Sequence, residues 1–91
     1  MSVTEDTVLS FARGHRLQQD RVRDLWLVQA PEKAFIIEGA APHILGLVDG
    51  EQTVGTIIGK LTEQFSAPRE VISTDVLALL SDLTEKGVLR A

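Results

Sequence analysis

The chain has no cysteine and no tyrosine, and its aromatic residues are one tryptophan and three phenylalanines. Without thiols there can be no disulfide, thiolate metal site or cysteine nucleophile, and a reducing cytoplasm is the expected compartment. Long apolar runs are missing too. None approaches the roughly 20 residues that cross a bilayer. The polar, acidic start Met1-Ser2-Val3-Thr4-Glu5-Asp6 lacks the basic and then apolar pattern of a signal peptide. A soluble chain with no membrane contact is expected. His15 and His43 fall in different elements, and neither has a partner at metal-ligand spacing. No serine lies in a Gly-x-Ser-x-Gly elbow. The seven glycines never gather into a phosphate-cradling loop, and Gly55 and Gly59 sit singly in a helical stretch. Glu38 and Asp49 could be imagined as an acid and base pair, but nothing in the pattern marks a pocket between them. The expectation is a non-enzyme with no cofactor and no metal.

Positive charge is also short: nine Lys and Arg face thirteen Asp and Glu, for a net charge of −4. Nucleic-acid binding leaves a basic footprint, so overall acidity counts against it. The charges are unevenly placed. Arg13, His15, Arg16, Arg21 and Arg23 cluster early, while Asp49, Glu51, Glu63, Glu70, Asp75, Asp82 and Glu85 dominate the second half. This describes either two solvated surfaces of opposite sign or a partner docking on the basic segment.

Ninety-one residues, 44% of them apolar, suffice for one core and one domain. Residues 1–13 have weak periodicity and read as a flexible N-terminal tail, with Val8, Leu9 and Phe11 resting on the body. The domain proper spans 14–91. Extended runs are expected at 15–20, at 25–30 before Pro31, and at 33–38 before Gly39, with a charged turn at 20–24 and a tight turn at Pro31-Glu32. Together they form a small antiparallel meander.

The second half reads as helical. Ile44, Leu45, Leu47 and Val48 have helical spacing over 40–48, Pro42 fits only near the start, and Asp49-Gly50 ends the run. Thr53 is a sound N-cap for a second helix whose stripe is Val54, Ile57, Ile58, Leu61 and Phe65. Ser66-Ala67-Pro68 opens a third helix that runs to about Lys86, with Gly87 as its left-handed cap. The fold class is α+β: a three-stranded antiparallel sheet followed by three α-helices, winged-helix-like, with the helices covering one sheet face.

The last helix could be a DNA reader, but it carries Asp75, Asp82 and Glu85 against Arg69 and Lys86, and acidic side chains repel phosphates. At about 100° per residue, Val76, Leu79 and Leu83 fall within roughly 40° of Ile72, Leu80 lies near 80° and Leu77 near 140°. Ser73 and Thr84 fall beside the last two. This lopsided face is either a broad stripe buried between two neighbours or one wall of a groove. The other wall would be the terminal strand, 33–38, whose unpaired edge an extended peptide could join.

Three segments carry a family resemblance: Arg21-Val22-Arg23-Asp24-Leu25-Trp26-Leu27-Val28-Gln29-Ala30-Pro31-Glu32; Ala40-Ala41-Pro42-His43-Ile44-Leu45-Gly46-Leu47-Val48-Asp49-Gly50 with Thr53-Val54 and Ile57-Ile58; and Asp75 to Leu89. In this order over residues 13–91 the chain resembles the PqqD proteins of pyrroloquinoline quinone biosynthesis. The resemblance implies a peptide-recognition domain that binds a ribosomal precursor peptide. It would present that peptide to a radical-SAM enzyme, which cross-links a glutamate to a tyrosine. Carried over, the implied peptide site is Ala34, Phe35, Ile36 and Ile37 on the strand with Ser73, Leu77, Leu80 and Thr84 on the helix, the helix set resting partly on the geometry above. Glu38-Gly39 stands where the family more usually has an Asp-Glu-like pair, a departure expected to touch helix capping and not function. Two other readings stand beside this one: a winged-helix DNA-binding regulator, and a homodimer paired through the exposed strand edge.

Overall fold

The computed structural model describes residues 3–91, in which the chain runs β1 (Ser10–Phe11), β2 (Arg16–Asp20), β3 (Leu25–Gln29), β4 (Ala34–Ile37), α1 (Ala41–Leu45), α2 (Val54–Phe65), α3 (Arg69–Glu85) and β5 (Leu89–Arg90). The three-stranded antiparallel sheet, in the order β2-β3-β4, and the three helices after it agree with the sequence reading. Period-two alternation gives the sheet two unlike faces. Leu17, Val28 and Phe35 stand opposite one another across it, Val28 is fully buried, and this face meets the helices. Asp20 closes the β2–β3 turn by accepting from the amides of Val22 and Arg23 at 3.1 Å each.

The core lies between sheet and helices. Val54, Ile57, Ile58 and Leu61 of α2 meet Val76, Leu80 and Leu83 of α3, with Ile44 and Leu45 of α1 beside them. Thr53 caps α2 as expected, its Oγ1 accepting from the Thr56 amide at 3.2 Å. The first helix is shorter than expected, Ala41–Leu45 against 40–48, with Gly46 at its C-cap and Val48 still buried. Pro42 lies in its first turn, where no amide is needed.

The largest departure from the sequence reading is the tail. Its residues 1–2 lie outside the described residues; residues 3–13 are built into the fold. Val3 and Leu9 are buried with the core. β1 pairs with β5, Phe11 opposite Leu89, in a second two-stranded sheet that joins the two ends of the chain. The physical reason is the N-terminus of α2. A helix begins with amides that have no intrahelical acceptor, and here the tail supplies carbonyls: Thr7 to Val54 and Glu5 to Gly55, both at 2.8 Å. The approach is so close that a Cβ at Gly55 would stand 3.2 Å from the Glu5 carbonyl oxygen. Such contacts, between residues some fifty apart, leave no local periodicity in the sequence.

Candidate functional site

β4 has a partner on one side only, because it ends the order β2-β3-β4. The Ala30 amide donates to the Lys33 carbonyl at 2.8 Å, which fixes the phase of the ladder. In an antiparallel pair, bonded and non-bonded positions alternate. Phe35 and Ile37 therefore exchange bonds with Val28 and Trp26, while Ala34 and Ile36 turn their N–H and C=O groups to the free edge. Side chains alternate in step: Phe35 and Ile37 are half-buried toward the helices, Ala34 is exposed, and Ile36 is 58% exposed.

Beside this edge lies a groove of about 620 Å³ between β4 and the C-terminal half of α3. Phe35, Ile36 and Ile37 border it on the strand, and Leu79, Asp82, Leu83 and Lys86 on the helix. Val88, His15 and Lys33 complete its lining. Gly87, at φ 79°, lets the chain turn there. Its amide donates to Thr84 and that of Val88 to Leu83, at 3.1 and 2.9 Å, which is the pattern of a Schellman cap. The cap thereby places Val88 back against the last turn of α3. None of the residues bordering the groove belongs to the segment 3–11, which docks on α2 and β5 instead.

The groove lining is mainly apolar, with Lys33, Asp82 and Lys86 as its charged members. Lys33 holds its Nζ 6.0 Å from the Phe35 ring centroid, a cation–π contact that keeps the ammonium at the mouth. Lys86 pairs with Asp82 at 2.9 Å, one helical turn away. His15 donates from Nδ1 to the Arg13 carbonyl at 3.0 Å, which leaves Nε2 as its free ring nitrogen. The two histidines stand apart, His43 packing edge-to-face on Phe65 at 5.2 Å. Among the described residues, no three acidic or histidine side chains gather in a way that could hold a metal ion. No helix of the described residues is long and apolar enough to cross a membrane.

Of the eight site residues expected from the sequence, the structure brings Phe35, Ile36 and Ile37 to the groove and leaves Ala34 exposed beside it on the free edge. The helix set falls elsewhere. Leu80 is fully buried in the core, and Leu77 is half-buried against it. Thr84 turns its hydroxyl back to the Leu80 carbonyl at 2.7 Å, and Ser73 is half-buried on the same flank. Viewed down α3, Ser73, Leu77, Leu80 and Thr84 centre near 110° from Ile72, whereas Leu79, Asp82, Leu83 and Lys86 centre near −30°. The two sets lie on opposite flanks of the Val76–Leu80–Leu83 stripe. Helical periodicity shows that the apolar face is broad; it carries no sign of which flank meets β4.

Comparison with known proteins shows the family and the fold. Residues 26–89 match the family model described as coenzyme PQQ synthesis protein D (PqqD). A protein of Gluconobacter oxydans (strain 621H) named PqqA binding protein is 75% identical over 87 residues, covering 96% of this chain and 91% of that one. One of the same name from Bradyrhizobium diazoefficiens is 38% identical, covering 98% and 86%. Among solved structures, the PqqD truncation of Methylobacterium extorquens PqqCD superposes with a TM-score of 0.84 at 34% identity, covering 99% of this chain and 96% of that one. It is described as a functional, stand-alone recognition element for ribosomally synthesised and post-translationally modified peptides. PqqD from Xanthomonas campestris gives 0.62 at 33% identity, covering 99% and 100%.

Proposed function

Since the chain belongs to the family of coenzyme PQQ synthesis protein D, we propose that it binds a PqqA-type precursor peptide as an added strand on β4 and presents it to a radical-SAM modifying enzyme. The observation that carries this reading is the unpaired β4 edge lying along an open apolar groove. An extended backbone there meets the outward N–H and C=O groups of Ala34 and Ile36, and its alternate side chains enter the groove against Leu79 and Leu83. The role is binding, and no step of it calls on a catalytic group of this chain. A peptide newly made by ribosomes is met in the cytoplasm, the compartment that fits a chain without thiols.

Titration of the protein with synthetic PqqA peptide, followed by amide chemical shifts, tests the reading. Shifts are expected in 34–37 and 79–88. Leu79→Asp, in the groove wall, is expected to weaken binding at least roughly tenfold, the worth of a desolvated leucine contact replaced by a charge. Circular dichroism should report unchanged helix content. Leu77→Asp, on the other flank, is expected to act on stability more than on affinity. Binding insensitive to Leu79→Asp in a folded variant would place the peptide elsewhere, and concentration-dependent sedimentation without peptide would instead favour a second copy on the β4 edge.

A further inference from the structure

The helix face that borders the groove continues beyond it. Ile72, Val76, Leu79, Leu83 and Lys86 are spaced four, three, four and three residues apart, so all five lie on one side of α3. The last three border the β4 groove. Ile72 and Val76, with Asp75 at their side, form the floor of a separate apolar dimple of about 40 Å³, walled by Ala40, Ile44 and Phe65. Ala40 lies three residues past the end of β4, so the dimple sits where a peptide leaving that strand edge would run next.

We propose that this dimple is a second subsite of the same groove, taking one aliphatic side chain of the guest peptide. The inference rests on the peptide-binding reading and adds to it the chemistry and spacing of a second anchor. Its small size and apolar lining suit the ligand: about 40 Å³ holds roughly three water-sized groups, enough for the end of a valine, leucine, isoleucine or methionine. Its wall is already apolar and open to solvent. Phe65 is 42% exposed, held edge-to-face by His43 at 5.2 Å. The spacing follows from the helix. The pairs Ile72/Val76 and Leu79/Leu83 are centred seven positions apart, roughly 10 Å at the helical rise, which an extended chain spans in about three to four residues. The peptide therefore carries an aliphatic residue about three to four positions from the side chain seated against Leu79 and Leu83.

The test is calorimetric titration of the full chain with synthetic PqqA peptide and with its single-alanine replacements. Two variants accompany the parent: Phe65→Ala, which removes an exposed wall, and Ala40→Phe, which plugs the dimple from its rim. Each is expected to lower affinity roughly fivefold or more, the worth of one or two buried methylenes. One aliphatic peptide residue, about three to four from the groove anchor, should lose as much on replacement by alanine with the parent and nothing further with Phe65→Ala. If the parent binds and both folded variants stay within about twofold of it, the dimple is no subsite and the groove reading stands. If the parent does not bind the peptide at all, both fall.

Discussion

Leu77 and Leu80 are three residues apart on α3 and differ in burial: Leu80 is fully buried in the core cluster, while Leu77 is half-buried at the edge of the core. Truncation should separate them. Leu80→Ala is expected to destabilise the fold by about 2–5 kcal/mol, because a buried cavity adds to the lost transfer energy. Leu77→Ala should cost about 1–2 kcal/mol, since solvent already reaches part of the side chain. Urea unfolding of the two variants measures the difference, and equal losses would mean that Leu77 is as enclosed as Leu80. In a domain of 91 residues, where total stability is about 5–10 kcal/mol, the larger loss leaves little margin. Residues such as Leu79 are different again: half-buried, yet facing the groove, they can be changed with their main effect on a visitor.

At the scale of the element, β4 is a strand with two unlike edges. Phe35 and Ile37 bond to β3, and Ala34 and Ile36 offer the same groups outward. Proline distinguishes them, because it removes a single N–H. Ile36→Pro is expected to keep the three-stranded sheet and to lose most of the peptide affinity. Phe35→Pro breaks the ladder with Val28 and should melt the hairpin. Amide exchange of β3 in the two variants, read beside peptide titration, checks both expectations; strong binding by Ile36→Pro would mean that the guest does not pair with this edge. The edge strand and its turn positions were legible in the sequence, since Pro31, Gly39 and the alternation between them are local signals. The facing flank of α3 was not, since periodicity places residues around a helix without fixing the helix's rotation against its neighbours.

The whole molecule is held closed by its ends. Glu5 and Arg69 form a two-point ion pair at 2.6 and 3.2 Å, joining the N-terminal segment to the start of α3. The Arg69 hydrogen bond holds the Glu5 carboxyl below its ordinary value of 4.5, and Glu5 in turn raises Arg69. Asp49, whose Oδ1 accepts the amides of Gln52 and Glu51, is likewise held below its ordinary 3.8. A carboxyl whose pKa is depressed by folding stabilises the fold above its unfolded pKa and ceases to do so as pH falls through the folded one. The N-terminal segment is therefore expected to keep its full hold above about pH 5 and to loosen below 4.5. Protection of the Gly55 amide, which donates to the Glu5 carbonyl, reports this in hydrogen exchange. Glu5→Gln should abolish the pH-dependent part of that protection, and a variant with the parent's profile would assign the effect to another group. The pair is exposed to solvent, so its contribution should also shrink with added salt.

The sequence by itself determined the meander, the three helices with their Thr53 and Gly87 caps, and the absence of thiol chemistry. Each of these depends on residue type or on spacing within a few positions. The tertiary structure decided what depends on contacts between distant residues: that the N-terminal segment caps α2 and pairs with β5, and that Leu79, Asp82, Leu83 and Lys86 face the strand edge while Ser73, Leu77, Leu80 and Thr84 do not. The rotation of α3 is set jointly by the sheet, α2 and the cap that places Val88, and no window of the sequence contains all of them.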